Sequence, residues 1–169
     1  MCLFLLQSCS KEADMFELNG DKYSKDVEEI VSNGAGYKIF PKLFKFTKLK
    51  YLRLQNNEIS TLKLKKSINS IELLDLKNNS LYDIESIKML PALKYGYFSG
   101  NLIENIPDTS KNTKLEYFSI GNNVHRYSKN TNTSLKWISI IGPLDTLEWL
   151  EYYPSIETVE LGGNHFSNL

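Results

Sequence analysis

Cysteine is almost missing from this chain of 169 residues: the only two, Cys2 and Cys9, fall within its first nine positions. No disulfide framework can staple the remainder, and none of the usual cysteine-based zinc spacings occurs. No run of ~18–20 apolar residues is present, so no segment has the length of a membrane-spanning helix. An excess of charge is missing too: 20 basic and 20 acidic residues cancel. That argues against a general nucleic-acid binder, which needs a basic face to displace counterions. Histidine occurs twice, at His125 and His165. Neither has a carboxylate or thiol at a spacing that suggests a triad, and both read as turn residues. Gly34 and Gly36 lack the lysine and the spacing of a phosphate-binding loop. The expectation is a protein with no catalytic residues, metal or cofactor, whose core carries its stability unaided.

What the chain does have is a repeat. In LKYLRLQNNEIS, residues 49–60, apolar residues stand at Leu49, Leu52, Leu54 and Ile59, with Asn57 between them. The spacing fits neither a helix nor a strand. It returns 22 residues on as Ile71, Leu74, Leu76, Asn79 and Leu81, and again as Leu93, Gly96, Phe98, Asn101 and Ile103. A fourth copy has Leu115, Phe118, Ile120 and Asn123, but His125 in the last slot. The fifth starts at Leu135 and carries Pro143 in the Asn slot; the sixth has Ile156, Val159, Leu161, Asn164 and Phe166. A weak copy precedes them at Val27, Ile30 and Ser32. Self-similarity at one near-constant period indicates a repeat architecture. The x-L-x-L-x part of each copy reads as a short strand with Leu52 and Leu54 inward and Tyr51, Arg53 and Gln55 outward. Buried turns leave backbone groups unpaired, and an Asn side chain can satisfy both donors and acceptors. The copies therefore predict an asparagine ladder at Asn57, Asn79, Asn101, Asn123 and Asn164.

The pattern resembles LxxLxLxxN/CxL of the leucine-rich repeat family, over about residues 27–169. The 22-residue length, with apolar residues continuing between copies (Ile84, Ile87, Leu90, Leu93), resembles the bacterial internalin-type class. The resemblance implies an α/β fold: a right-handed solenoid of about 6–7 repeats, with a parallel β-sheet on the concave face and short 3₁₀ or helical turns and loops on the convex face. Within residues 25–169, 27–48 read as an N-terminal cap or degenerate repeat, and repeats start at 49, 71, 93, 115, 135 and 156. In the second inward column, Ile30, Leu52, Leu74, Gly96, Phe118, Ile138 and Val159, the glycine adjoins the phenylalanine. That predicts that the Phe118 ring fills the space Gly96 leaves.

The outward positions form columns. The first reads Glu29, Tyr51, Leu73, Tyr95, Tyr117, Trp137, Thr158; the second reads Val31, Arg53, Asp75, Tyr97, Ser119, Ser139, Glu160. Seven strands about 4.8 Å apart make a face about 30 Å across. Tyr and Trp combine large apolar area with a polar handle and recur among binding hot spots. The expected ligand-binding set is Tyr51, Arg53, Asp75, Lys77, Tyr95, Tyr97, Tyr117 and Trp137; the alternative is that the rings only stabilise the sheet by cross-strand stacking. On the convex side, GPLDTLEWLEYYP (142–154) is expected to turn Leu144, Leu147 and Leu150 to the core, with Trp149, Tyr152 and Tyr153 partly off that face. NNVHRYSKNTNTS (122–134) is expected as an exposed loop.

At the N-terminus, LQSC (6–9) resembles the lipobox before the lipidated cysteine of bacterial lipoproteins, and SKEAD resembles an outer-surface tether signal. The resemblance implies that 1–9 is a signal remnant, that Cys9 carries the lipid and that the start lies upstream, since no Lys or Arg precedes Cys9. The alternative is an ordinary start whose apolar residues pack on the first repeat. Residues 10–24 read as a tether. Beyond Val159–Leu161 no cap is evident, which suggests self-association through that edge strand. The expected function is a non-catalytic module on the bacterial outer membrane or cell surface that binds a protein, or a glycan, with its concave aromatic face. The alternative is an intracellular leucine-rich repeat scaffold in the cytoplasm. Neither nucleic acid nor a membrane is an expected partner, except through the Cys9 anchor.

Overall fold

A computed structural model of the chain describes residues 15–163. Cys2, Cys9, Asn164, His165 and Phe166 lie outside the described residues. The strands are β1 (Met15–Leu18), β2 (Asp21–Ser24), β3 (Glu29–Val31), β4 (Tyr51–Arg53), β5 (Leu73–Asp75), β6 (Tyr95–Phe98), β7 (Asn105–Ile106), β8 (Tyr117–Gly121), β9 (Arg126–Tyr127), β10 (Trp137–Ile141) and β11 (Thr158–Gly162). Seven of them form one parallel sheet in the order β3-β4-β5-β6-β8-β10-β11. Each is a solenoid turn laid on the one before. The register pairs Ile30 with Leu52, Leu74 with Gly96, Gly96 with Phe118 and Ile138 with Val159. The inward column read from the period is thus a physical row across the sheet.

The core is filled by that row and its neighbours. Leu49, Leu52, Leu54, Ile71, Leu74, Leu76, Leu93, Phe98, Phe118, Ile120, Ile138 and Ile140 have no exposed surface. A Cβ built on Gly96 would meet Phe118 Cδ2 and Phe98 Cε2 at 3.0 Å each, so the two rings occupy the volume that the glycine leaves. Ring centroids of Phe98 and Phe118 are 5.6 Å apart.

The α/β class is loose for this chain. Among the described residues no α-helix occurs, and the helical structure of the return path is limited to two 3₁₀ turns, Glu85–Met89 and Glu148–Tyr152. The sequence explains the choice for the first. Ile84, Ile87, Leu90 and Leu93 recur every three residues, the 3₁₀ period at which side chains eclipse on one face, and all four are buried.

Two turn chemistries divide the solenoid. In its first half the residue before each ladder asparagine has positive φ: Asn56 and Asn78 at 55° and Gly100 at 74°. The asparagine that follows is buried and bridges two turns. Asn79 Nδ2 donates to the carbonyls of Leu54 and Leu76, 3.0 Å each, and its Oδ1 accepts from Ile59 N–H at 3.0 Å. Asn57 and Asn101 repeat the arrangement. Asn123 does not. It is exposed, and its backbone carbonyl contacts the ring of His125. The buried residue here is Val124, one place earlier than the apolar residue of the other copies. The strand runs on instead: β8, β10 and β11 have five residues against three in β4 and β5. Gly121 permits this, because a Cβ there would stand 2.6–2.9 Å from Ile141 of the next strand.

Two segments differ from expectation. Residues 15–24, read as tether, form the antiparallel hairpin β1–β2. Its loop is Asn19-Gly20 with φ of 52° and 90°, the positive-φ pair that a two-residue hairpin turn requires. Phe16 and Tyr23 set their rings edge-on to Phe46, at 5.7 and 6.5 Å, and Leu18 is buried. The hairpin therefore covers the first turn of the core, the capping that a solenoid end needs. Residues 122–134 are not a loose loop: β9 pairs in parallel with β7, and Val124 and Asn132 are buried.

Candidate binding face

The strands place the outward columns side by side as the register requires: Tyr51 next to Leu73, Leu73 next to Tyr95, Tyr95 next to Tyr117, Tyr117 next to Trp137. Along that column only Tyr117 and Trp137 pack ring on ring; the third ring comes from the second column. Tyr97, from the second column, leans to Tyr117 with centroids 4.9 Å apart, and Tyr117 stacks on Trp137 at 3.8 Å with an interplanar angle of 8°. The Lys77 ammonium lies 5.3 Å from the Tyr97 centroid. A diagonal row, Lys77–Tyr97–Tyr117–Trp137, thus runs from the segment just after β5 across β6, β8 and β10. Small Ser119, the neighbour of Tyr97 in its column, leaves the diagonal open. The row joins a cation–π contact to stacked aromatics, each favourable beyond area burial.

Burial by the neighbouring rings pushes the Tyr117 phenol up to about 12, with the Tyr97 and Glu160 charges adding to the effect. Tyr97 is raised for the same leading reason, with Asp75 second. Both hydroxyls therefore stay protonated donors across the physiological range.

The other site residues fall in different places. Tyr95 is 37 % exposed and takes part in no ring pair among the described residues; Tyr51 is half-buried on β4. Arg53 pairs with Glu29 across β3 and β4. Asp75 is not presented to solvent: it is buried, accepts from Lys77 N–H at 3.1 Å and from the Gln55 amide at 2.5 Å, and lies 3.6 Å from the Lys77 ammonium. Its role in the face is to hold Gln55 and Lys77 in place.

The convex side also rearranges. Trp149 and Tyr153 are buried at 0 % and 2 % exposure, whereas Leu147 and Leu150 are only partly covered. Spacing three favoured the leucines, but the 3₁₀ turn carries the larger side chains inward. Burial pushes the Tyr153 phenol up to about 12. A second asparagine row went unseen in the sequence. Asn112 donates to the carbonyls of Ile87 and Leu90 at 2.8 and 2.9 Å, and Asn132 donates to those of Thr109 and Asn112 at 2.7 and 3.3 Å. Both stand three residues before a first core leucine, Leu115 or Leu135, in the slot that Leu90 fills earlier. That substitution of Asn for an apolar residue was the available signal. His125 lies exposed beside Glu104, 3.8 Å from its carboxylate, which also binds Arg126 at 2.6 Å.

No protein-family profile matches the chain, and no curated protein sequence does. Among solved structures, an internalin (inlF) from Listeria monocytogenes matches with a TM-score of 0.55 and 14 % identity, over 89 % of this chain and 53 % of that one. The functional domain of InlJ from Listeria monocytogenes, described as including a cysteine ladder, matches with a TM-score of 0.42 and 18 % identity, over 85 % of this chain and 41 % of that one. The chain thus spans about half the length of the internalin it resembles. At this identity the likeness concerns architecture: the chain has the leucine-rich repeat solenoid fold seen in internalin.

Proposed function

We propose that this chain is a non-catalytic binding module that recognises a protein ligand with the face around Tyr97, Tyr117 and Trp137. The observation that carries the reading is the diagonal row from Lys77 to Trp137 on an otherwise regular sheet. Tyr and Trp held rigid by stacking offer contact area at little entropic cost. Protein is favoured over glycan by the way the rings are used. Tyr117 has Tyr97 on one side and Trp137 on the other, and Tyr97 has Lys77 and Tyr117. Tyr117 is thereby enclosed between two rings, and ring edges and phenol hydroxyls of the row are left to meet a polypeptide. Two charged pairs of the face are engaged internally, Arg53 with Glu29 and Lys77 with Asp75, while Glu160 is exposed. A face about 30 Å across suits an interface of about 800 Å² per partner.

The reading extends to a place outside the cell, on a lipid anchor at Cys9. The mass of the N-terminal peptide from native cells tests it: a diacylglyceryl group on Cys9 supports export, and an unmodified terminus beginning at Met1 supports the cytoplasmic scaffold. The face itself is tested by capturing surface and secreted proteins on the full chain, then measuring affinity for Trp137→Ala and Tyr97→Ala. A hot-spot truncation costs at least about 2 kcal/mol, roughly 30-fold in Kd. A partner whose affinity is unchanged by both substitutions would overturn this assignment.

A further inference from the structure

We infer that the return segments of the first two solenoid turns form a docking surface for an anionic membrane. The zero net charge of the chain conceals a strong polarity: between Tyr37 and Ser70 there are nine lysines and arginines against one acidic residue, Glu58. Several of these cations are already paired, Lys38 with Glu58, Lys48 with Asp26, Lys50 with Glu28 and Arg53 with Glu29. Lys42, Lys45, Lys63, Lys65 and Lys66 are all exposed, and none has an ion pair with a described residue. They belong to the segments that join β3 to β4 and β4 to β5. Lys66 lies 5.5 Å from the ring centroid of Phe44, which ties the two segments into one surface, and Lys45 lies 4.6 Å from that of Phe16.

The same surface is apolar between its lysines. Ile39 is 76 % exposed and Phe44 53 %, and they edge an open trough of about 760 Å³ floored by Phe16, Phe40 and Phe46. Lys38, Lys42 and Lys45 line the trough with one carboxylate, Glu17; protruding apolar side chains among a majority of lysines match a membrane interface, where apolar groups enter the acyl boundary and ammonium groups stay at the anionic headgroups. The cations are lysines, compact charges on flexible stems without the fixed fork that arginine offers a carboxylate. No charged side chain of the trough is buried in a preset geometry, so the surface suits a diffuse, fluid partner better than an acidic peptide of fixed shape. Each lysine held near an anionic bilayer strengthens partitioning about fivefold. Docking through the return segments leaves the ring row on the strands unobstructed.

The test is co-sedimentation of the unlipidated full chain with phosphatidylcholine vesicles, with and without about 30 % phosphatidylglycerol. Binding is expected only to the anionic vesicles, and about 0.5 M salt should weaken it by screening. The triple substitution Lys42→Glu, Lys45→Glu, Lys66→Glu should reduce partitioning more than tenfold. Ile39→Ser with Phe44→Ser should reduce it at every salt concentration. All five positions are exposed, and circular dichroism confirms that each variant is folded. Equal binding to neutral vesicles, or anionic binding unchanged in the lysine variant, would overturn the inference. So would failure to bind vesicles accompanied by lysine-dependent binding of polyglutamate, which would assign the surface to an acidic protein.

Discussion

A single methyl group added at position 96 tests both the register of the solenoid and its packing. The Cβ of Gly96→Ala would approach Phe118 Cδ2 and Phe98 Cε2 at 3.0 Å and Phe118 Cε2 at 3.4 Å. Overpacking of a close-fitted core costs roughly 1–3 kcal/mol. Against this, alanine restricts the unfolded chain at a position without positive φ, a gain of about 0.4–1 kcal/mol. The single variant should therefore lose about 1–2 kcal/mol. Phe118→Ala, which empties the ring's volume, should lose about 3–5 kcal/mol. In the double variant the Phe118 ring is gone, and Phe98 has room to yield. The strain then vanishes while the entropic gain remains, so the double variant should be more stable than Phe118→Ala alone by about 0.5–1 kcal/mol. The coupling, favourable by roughly 1.5–3 kcal/mol, is read from a double-mutant cycle in urea. Because each turn contacts only its neighbours, the slope of each transition is fitted as well as its midpoint. Additive losses, or a Gly96→Ala variant more stable than the parent, would refute the pairing of glycine and ring.

Two further expectations concern single side chains. Asn79→Ala leaves the Ile59 N–H without its acceptor in a buried turn, while the Leu54 and Leu76 carbonyls keep Asn57 and Asn101 as donors, and should cost about 1–3 kcal/mol; Asn123→Ala, at an exposed position, should stay within about 0.5 kcal/mol. Equal losses in urea denaturation would return Asn123 to the ladder. The Tyr153 phenol, pushed up to about 12 by burial, contributes stability that is fully present below its ordinary value near 10 and is lost as pH rises through about 12, on the order of 2–3 kcal/mol. Urea midpoints at about pH 9 and 11.5 should therefore fall less for Tyr153→Phe than for the parent, and an equal fall would place the alkaline loss in other tyrosines.

The period and the inward columns were legible because a solenoid core imposes them: each turn must supply a residue to each row, and the strand register pairs those residues as counted. Side-chain choices within a row were less legible. Asn122-Asn123 looks like Asn56-Asn57 and Asn78-Asn79, yet Asn122 lacks the positive φ of Asn56 and Asn78. Only Val124, apolar one place early, marks the change. Asn19-Gly20 is a direct hairpin signal, masked by the polarity of its flanking strands. Asn112 and Asn132 looked like loop residues because burying them pays only when carbonyls of the preceding turn are in reach, as Ile87, Leu90 and Thr109 are here. Of the ring row, the Tyr117–Trp137 stack was legible as neighbours in the first column, whereas Tyr97 crosses from the second column to the first.

The rings and the change of turn chemistry occupy opposite ends of the same strands. Where asparagine turns the chain out of the sheet, β4 and β5 have three residues, about 10 Å of strand; β8 and β10 have five, about 16 Å. The added length lies at the far end, residues 120–121 and 140–141, whereas Tyr117 and Trp137 open their strands in the same register slot as Tyr51 and Leu73; the register of β8 with β10 holds the two rings directly opposite each other. Parallel strands fix that separation, so rings at opposed positions stack once their side chains adopt the same rotamer. Tyr97 enters from β6, which has four residues and lies at the junction of the two turn types. Lys77 on the side chain–backbone network of Asp75 closes the row from the narrow half. The ring row thus sits at the start of the strands, where aromatic residues fall in adjacent register slots of β8 and β10 and Tyr97 reaches across from β6.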